Sequence, residues 1–153
     1  MLGTVKTFCE SVGIDTAGIP AEILTLPVIR NGRLRTTVAQ AVYIGAERVP
    51  TRLELGARIL RGSAASRREV IAHEVAHLIA GFDADHGPRW RAAAVAMGCT
   101  GSQFATKALI EDIGSARKTV AVCTGCGAEL KRARRLNRGR TYRHGRCGQW
   151  APC

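Results

Sequence analysis

Aromatic residues and long apolar runs are both scarce in this chain of 153 residues. Phe, Trp and Tyr make up 5% of it, so a core must be built mainly from Ala, Val, Ile and Leu. No apolar run approaches the roughly 20 residues that a membrane-spanning helix needs. The N-terminus lacks a basic region followed by an apolar stretch and a cleavage site, so we expect a cytoplasmic protein that does not enter membranes.

Acidic residues and lysines are scarce where the positive charge is highest. The chain has 19 Arg and only 4 Lys. Residues 1–112 carry a net charge of +2, whereas residues 113–153 carry ten basic residues and one acidic residue, a net charge of +9. Such a concentration is typical of a nucleic-acid-binding module. A merely solubilising arm is the alternative, but this segment also carries regularly spaced cysteines.

The most informative motif is His73-Glu74-Val75-Ala76-His77, which lies in a mostly apolar segment. In a helix, His73 and His77 lie one turn apart on the same face, so both imidazoles can bind one metal ion. Glu74 lies beside that face, where its carboxylate can take a proton from water at the metal. A mostly apolar helix is expected to be buried, and buried helices seldom carry such residues without a use for them. The motif therefore predicts a catalytic metal site with Glu74 as general base.

A third ligand is expected because a catalytic zinc usually takes three protein ligands and keeps one position open. His86 is the candidate, with eight residues between it and His77. Gly81 offers a helix C-cap from which the chain can fold back toward the metal. A metzincin would place its third histidine closer to the motif, so that class is disfavoured. A thermolysin-like site would instead draw a glutamate from a later helix, and Glu111 is the candidate for that alternative.

Residues 117–153 contain a second metal-ligand pattern. A C-x-x-C-G sequence begins at Cys123, and an H-x-x-C-G sequence begins at His144, with seventeen residues between the two pairs. This spacing is typical of a zinc ribbon, and so short a segment could hardly fold without a metal. Cys153 competes with His144, but it lies too far from the preceding cysteine for a knuckle. The predicted ligands of this structural zinc are Cys123, Cys126, His144 and Cys147.

The segment between these pairs is rich in arginine, which can hold phosphate through two parallel hydrogen bonds. Binding of this kind should weaken steeply as salt is added. Tyr142 and Trp150 either stack on unpaired bases or pack within the ribbon, and the sequence leaves both interpretations open. The predicted nucleic-acid contacts are Lys131, Arg132, Arg134, Arg135, Arg138, Arg140 and Arg143.

Local patterns predict the strands and the first helix. Residues 3–13 are expected to form a short amphipathic helix. Asn31-Gly32 is typical of a hairpin turn, and the β-branched residues of 34–44 predict one long bent strand or a strand pair after it. Residues 52–56 alternate polar and apolar side chains and predict a second, short strand. Residues 57–62 either finish that strand or form a connecting turn.

Capping signals predict the remaining helices. Ser66, with Glu69 three residues later, has the pattern of a capping box and would start the metal-binding helix at about residues 67–80. Residues 88–97 favour a further helix with Pro88 in its first turn. Residues 103–113 form one more amphipathic segment.

The order His73-Glu74-x-x-His77 followed by His86-Gly87-x-x-Trp90 resembles the SprT-like metalloprotease family. The resemblance extends over roughly residues 25–153, because bacterial members also carry a C-terminal zinc ribbon, usually with cysteine where His144 stands here. It implies that three histidines bind zinc, that Glu74 is the general base and that Trp90 packs behind the third ligand. It also implies protein substrates that are bound or crosslinked to DNA. The zinc ligands that it implies are His73, His77 and His86.

These observations together predict an α+β chain with two domains. Residues 1–116 would form a small zincin-like metallopeptidase domain of helices on a short sheet, and residues 117–153 a basic zinc ribbon. We expect a zinc endopeptidase with one catalytic and one structural zinc, brought by its ribbon to proteins on DNA. One alternative is a nucleic-acid-binding regulator that keeps the zincin fold as a scaffold or for one dedicated partner. Another is an unspecific peptidase whose tail adds only solubility.

Overall fold

The computed structural model describes residues 1–103, 107–114 and 117–153. Its contacts divide the chain into two compact units, Met1–Gly114 and Ser115–Cys153. The described residues form five α-helices and two four-stranded sheets, so the predicted α+β class is confirmed. No helix among them is long and apolar enough to cross a membrane.

The sheet of the N-terminal unit has the strand order β1-β2-β4-β3. Its strands are β1 (Gly3–Thr4), β2 (Pro27–Arg30), β3 (Ala39–Ile44) and β4 (Val49–Leu55). Strand β4 pairs parallel with β2 and antiparallel with β3, which leaves β3 at the edge of the sheet. Strand β3 is shorter than the strand predicted at residues 34–44. Strand β4 begins three residues earlier than the strand predicted at residues 52–56.

The hairpin prediction at Asn31-Gly32 is wrong, because β4 lies between β2 and β3. Instead of closing a hairpin, the Asn31 side chain donates a hydrogen bond to the Glu54 carboxylate over 2.5 Å. Glu54 is only 4% exposed and also accepts from Gln40 at 2.9 Å and Arg52 at 2.8 Å. A buried carboxylate needs such partners. The three donors come from β3, from β4 and from the residue after β2, so this network links all three strands.

The five helices partly follow the predicted bounds. The first begins at a capping box between Thr4 and Thr7. Residues 57–62 do not extend β4 and contain a short 3₁₀ turn at Ile59–Arg61, so the connecting-turn alternative is the one observed. The helix predicted at residues 88–97 is present. The helix predicted at residues 103–113 is present over Lys107–Ile113, and residues 104–106 of that prediction lie outside the described residues. The helices are α1 (Val5–Ser11), α2 (Ala21–Leu24), α3 (Ala64–Ala80), α4 (Pro88–Ala96) and α5 (Lys107–Ile113).

The capping box predicted at Ser66 is also wrong, because α3 begins three residues earlier. Ser63 is the N-cap, and its hydroxyl accepts a hydrogen bond from the Ser66 backbone N–H at 3.2 Å. Glu69 does not reach back to a cap. Its carboxylate accepts hydrogen bonds from the backbone and hydroxyl of Thr100, at 3.2 and 2.7 Å, and from the Cys99 thiol at 3.2 Å. Glu69 therefore ties α3 to the end of the following helix.

Helix α3 is the centre of the core. It has almost complete burial along one side, where Val70, Ile71 and Val75 are 0–5% exposed, and it packs on a sheet in which Val28 and Leu53 are fully buried. Burial of this kind contributes roughly 25 cal/mol for each Å² of apolar surface. The motif residues sit on the flank of this helix, so the core fixes their backbone.

The C-terminal unit is a small sheet with few apolar residues. Its strand order is β6-β5-β8-β7. The buried hydrophobic residues described in it are Val120, Ala121 and Cys123. The strands are β5 (Lys118–Cys123), β6 (Glu129–Arg132), β7 (Arg143–His144) and β8 (Gly148–Pro152).

Candidate metal centres

Three histidine side chains converge on one point beside α3. The Nε2 atom of His86 lies 3.2 Å from Nε2 of His73 and 3.1 Å from Nε2 of His77. Two nitrogen ligands on a tetrahedral zinc are roughly 3.3 Å apart, given Zn–N distances of about 2.0–2.1 Å. The spacing therefore fits one zinc ion. Glu111, the thermolysin-like alternative, is exposed on α5 and is not a member of this cluster.

The local backbone explains how His86 reaches the other two. Gly81 ends α3 with φ of +86°, a conformation that favours glycine, and a 3₁₀ turn at Phe82–Ala84 reverses the chain. Gly81 thus has the role predicted from the sequence. Two of the imidazoles are held neutral: burial, followed by the neighbouring histidines, lowers the pKa of His77 to about 4 and also lowers that of His73. Neutral imidazole is the form that binds a metal ion.

Trp90 lies beneath all three histidines and is fully buried. Its ring centroid is 4.7 Å from that of His73, 5.4 Å from that of His77 and 4.6 Å from that of His86. The indole N–H also donates to the backbone carbonyl of His73 at 3.2 Å. The predicted packing of Trp90 behind the third ligand is present, and the indole also contacts His73 and His77. One buried indole therefore packs against all three histidines of the cluster.

Glu74 lies beside the histidines with its carboxylate turned toward the edge strand β3. One of its oxygens accepts a hydrogen bond from the backbone N–H of Ala41 at 2.9 Å. Burial raises the pKa of Glu74 to about 7, and the Ala41 hydrogen bond opposes that rise. A carboxylate with a pKa near neutrality can both accept and donate a proton at physiological pH. This is the property that a general base in hydrolysis requires.

Sequence patterns gave no sign of several residues that shape the cleft in front of the histidines. The cleft has a volume of about 490 Å³ and is lined in part by Ala41, Tyr43 and Phe82. The Tyr43 hydroxyl donates to the backbone carbonyl of His77 at 2.6 Å, and its ring meets that of Phe82 edge to face at 5.6 Å. Arg48 covers Phe82, with its guanidinium 4.4 Å from the ring centre. Only folding brings these residues together, since no motif spacing relates them to the helix.

A second cluster lies in the C-terminal unit, where three cysteines and one histidine bring their ligand atoms within 4.8 Å of one another. Cys123 Sγ is 3.8 Å from Cys147 Sγ, and Cys126 Sγ is 3.4 Å from His144 Nδ1. The backbone N–H of Cys126 lowers the pKa of the Cys123 thiol to about 6, which favours the thiolate that binds metal. This set of sulfur and imidazole donors fits zinc.

Two glycines allow the halves of this cluster to approach. A Cβ atom at Gly125 would overlap the backbone carbonyl of Cys147, and one at Gly148 would lie 2.8 Å from the Gly125 nitrogen. Gly127 adopts φ of +71°, as the trailing glycine of a knuckle does. Gly148 has a different role, because it allows the close packing of the two halves. Gly125, inside the C-x-x-C sequence, was not singled out, although a glycine between two ligands is a readable signal.

Cys153, the competitor of His144, is exposed and is not a member of the cluster. It pairs instead through its backbone N–H with the Val120 carbonyl at 3.0 Å. Trp150 packs on the His144 ring with centroids 4.6 Å apart, and the Tyr142 hydroxyl accepts a hydrogen bond from the Asn137 backbone at 3.3 Å. Trp150 therefore packs within the unit, and Tyr142 makes a hydrogen bond within it.

The predicted nucleic-acid contacts are all exposed. Lys131 and Arg132 lie on β6, and Arg143 lies on β7. Lys131 is 3.3 Å from Glu129, the acidic residue of this segment. The other four predicted contacts, Arg134, Arg135, Arg138 and Arg140, lie in the connection between β6 and β7.

Comparison with family models matches residues 17–109 to the SprT-like family. The match covers more than half of the chain and includes the motif on α3, His86 and Trp90. It stops before the C-terminal unit, so it says nothing of the cysteine cluster. Searches of curated proteins and of solved structures found no significant match. On the match to its N-terminal unit, the chain belongs to the SprT-like family.

Proposed function

We propose that this protein is a zinc-dependent endopeptidase that acts on proteins bound or crosslinked to DNA. In this proposal the N-terminal unit is the zincin-like catalytic domain and the C-terminal unit is a zinc ribbon that binds nucleic acid. Membership of the SprT-like family, which is associated with metallopeptidases, supports the first part. The charge of residues 113–153 supports the second part.

The observation that carries the proposal is the meeting of three imidazoles and one carboxylate at a single cleft. His73, His77 and His86 would hold the zinc ion through Nε2, because these atoms already converge at ligand spacing. When bound, zinc supplies Lewis-acid chemistry that polarises a peptide carbonyl and makes water more acidic. Glu74, one residue after the first of these histidines, lines the same cleft.

Glu74 would move the proton that hydrolysis requires. Its carboxylate accepts the proton of the attacking water while the oxygen of that water bonds to the carbonyl carbon of the substrate. The same carboxyl group then returns the proton to the amine nitrogen as the carbon–nitrogen bond breaks. The Ala41 N–H would hold one carboxylate oxygen in place, so the other is left for the proton. A pKa of about 7 suits a group that must perform both steps near neutral pH.

Strand β3 would bind the substrate as an extended chain. Its even-numbered residues face β4, since Gly56 N–H donates to the Val38 carbonyl at 2.8 Å and the Thr51 hydroxyl donates to the Val42 carbonyl at 3.0 Å. The Ala41 N–H points the other way, to Glu74. A peptide that added to this edge as a further strand would run past the carboxylate and the histidines.

The first experiment combines zinc analysis with a cleavage assay. The wild-type chain should hold two zinc ions, and changing both His73 and His77 to Ala should leave one. Glu74→Gln should keep both ions and lower cleavage of a DNA-bound protein substrate by roughly 10³-fold or more, because the general base is lost. Glu10→Gln, an exposed acidic residue on α1, is the matched control and should cleave normally. Full activity of the Glu74 variant would contradict the proposed mechanism.

A second experiment tests recruitment by the ribbon. Changing Arg134, Arg135, Arg138 and Arg140 to Gln should weaken DNA binding and flatten its dependence on salt. Arg33→Gln with Arg35→Gln, two exposed arginines of the other unit, is the control for charge removal. Cleavage of a DNA-bound substrate should fall, while cleavage of the same protein without DNA should not. Equal turnover of both substrates by all variants would exclude recruitment and favour an unspecific peptidase.

The basic surface also favours a second candidate, a nucleic-acid-binding regulator. That candidate predicts DNA binding by the wild-type chain without cleavage of any protein offered on DNA. The Glu74→Gln variant separates the two, because the regulator would be unaffected by the change while the peptidase would lose its activity and keep its DNA binding.

A further inference from the structure

His86 differs from the other two clustered histidines in how its backbone is held. His73 and His77 lie within α3, whose hydrogen bonds and burial fix them. His86 lies between the 3₁₀ turn at Phe82–Ala84 and the start of α4, outside any helix. Something other than helical geometry must therefore set the direction of its ring.

The neighbouring residue, Asp85, contacts this ring directly. One Asp85 carboxylate oxygen lies 3.1 Å from Nδ1 of His86, the nitrogen on the opposite side of the ring from the cluster. A carboxylate this close favours a hydrogen on Nδ1, which leaves the lone pair on Nε2, the nitrogen that faces the other histidines. A carboxylate beside the outer nitrogen is a common partner of a metal-binding histidine.

Asp85 makes this contact from a backbone conformation that normally belongs to glycine. Its φ is +44° and its ψ is −127°. The backbone N–H of Gly87 donates to the Ala84 carbonyl at 2.8 Å, which closes a four-residue turn with Asp85 at its second position. These angles are those of a type II′ turn, in which glycine is the favoured residue at that position. An aspartate there is strained, and its side chain is 91% exposed, so neither backbone preference nor core packing accounts for it.

We propose that Asp85 is a positioning residue for the third metal ligand: its carboxylate holds the His86 ring so that Nε2 points at the ion. This inference rests on the metal site of the proposed function. It gives a role to a side chain that the turn itself disfavours. Trp90 contacts the same ring nearly at right angles with centroids 4.6 Å apart, so the indole and the Asp85 carboxylate both restrict how the imidazole can turn.

The turn makes a clean set of variants available. Asp85→Gly removes the carboxylate and relieves the backbone strain, so it separates orientation of the ligand from stability of the fold. Asp85→Asn keeps an oxygen that can accept from Nδ1 but loses the charge. Asp83→Asn, in the preceding 3₁₀ turn and also exposed, removes one negative charge nearby without touching the ring. His86→Ala removes the ligand itself.

The measurement is zinc affinity of the full chain by competition with a chromophoric chelator, together with the visible spectrum of the cobalt-substituted protein. Asp85→Gly should weaken the N-terminal site by about 10-fold, the lower end of the range for such partners because the carboxylate is exposed. Asp85→Asn should lie between it and wild type, and Asp83→Asn should match wild type. Asp85→Gly should also melt at the same temperature as wild type or higher, and the site of the C-terminal unit should be unchanged in every variant.

Two outcomes would overturn the inference. Only the second of them would also overturn the proposed function. If wild type binds two ions and Asp85→Gly binds both with wild-type affinity, the positioning role is wrong and the proposed metal site stands. If wild type and His86→Ala both bind a single ion, the N-terminal metal site is absent, and the inference and the proposed function fail together.

Discussion

The two metal clusters lie in opposite surroundings. The histidines are attached to α3, which packs in a core that includes the fully buried Leu53, Val75 and Trp90. The cysteine cluster belongs to a unit whose described buried hydrophobic residues are Val120, Ala121 and one of its own ligands, Cys123. The first cluster is therefore a site built on a folded scaffold, whereas the second is the main interaction available to hold its strands together.

This difference bears on what a metal ion would do at each cluster. A scaffold that folds by apolar burial can devote its metal to chemistry and leave a coordination position for substrate. A unit with almost no core must use all four donors, because metal binding supplies its folding free energy. Three nitrogen donors in one unit and four sulfur and nitrogen donors in the other agree with that division.

The largest expected effect is that removal of metal unfolds the C-terminal unit and leaves the N-terminal unit folded. Structural zinc contributes about 10–16 kcal/mol in small metal-dependent domains, more than so small a sheet can supply, so the C-terminal unit should unfold in excess chelator. Trypsin should then cut rapidly among its arginines while residues 1–103 stay protected. Cys123→Ser should have the same effect without chelator, and the double variant of His73 and His77 to Ala should not. Protection of both units in chelator would contradict the comparison.

Loss of the Trp90 side chain, which packs against the three histidines, should destabilise the N-terminal unit. Trp90→Ala removes a fully buried indole, and we expect the free energy of unfolding to fall by about 3–5 kcal/mol. Trp90→Phe keeps most of the packing and loses the hydrogen bond to the His73 carbonyl, so its cost should be smaller. Urea denaturation measures both. Equal stability of wild type and both variants would show that the Trp90 side chain does not contribute to the core.

Glu74 should make the metal-free protein less stable at alkaline pH. Its pKa is raised from the ordinary 4.5 to about 7 in the folded state, so the folded state binds a proton more tightly than the unfolded state does. Stability from this group is therefore complete below about pH 4.5 and is lost as the pH rises through about 7. Glu74→Gln should be more stable than wild type by ~1–3 kcal/mol at pH 8 and similar at pH 4.5.

Thermal melting of the metal-free protein at the two pH values tests this stability difference. The exposed Glu10→Gln change is the control, because it removes one carboxylate that lies on α1 and not in the cleft. If Glu74→Gln is no more stable than wild type at pH 8, ionisation of the Glu74 carboxylate does not lower the free energy of unfolding, and the prediction is wrong. The stabilised variant is the one expected to lose activity, as is common for groups that a fold buries for function.

The smallest expected effect concerns the start of α3. Ser63→Ala should lower the free energy of unfolding of the N-terminal unit by about 1 kcal/mol, because the Ser66 N–H loses its acceptor. Ser63→Thr keeps a hydroxyl acceptor without placing a second carboxylate beside Asp112 and should be nearly neutral. Chemical denaturation distinguishes the two. A Ser63→Ala protein with unchanged stability would show that the cap does not contribute to the helix.

Local spacing predicted the parts of the molecule that local geometry determines. The helix face places His73 beside His77, the glycine at position 81 returns the chain to His86, and the two pairs of the C-terminal unit meet as their spacing indicates. Each of these depends on residues close in sequence. For this reason the spacing of the residues was sufficient to predict which candidate ligands lie together.

Long-range pairing was not predictable in the same way. Asn31-Gly32 has a hairpin sequence, yet β2 pairs parallel with β4, and the Asn31 side chain bonds to the buried Glu54 carboxylate of β4, which also accepts from Gln40 of β3. The contacts of Glu74 with Ala41 and of His77 with Tyr43 join residues more than 30 positions apart. No local pattern encodes such contacts, since they arise only when the sheet packs against α3.

The two hydrogen bonds from β3 to α3 have a consequence for inhibitor design. Ala41 holds Glu74 at 2.9 Å and Tyr43 holds the His77 carbonyl at 2.6 Å, and neither bond involves a metal ligand atom. The width of the cleft between strand and helix is thus determined by the polypeptide alone. A compound that bound the strand edge without a zinc-chelating group would therefore meet the same groove whether or not a metal ion is bound. Its selectivity would come from Tyr43 and Phe82 rather than from affinity for zinc.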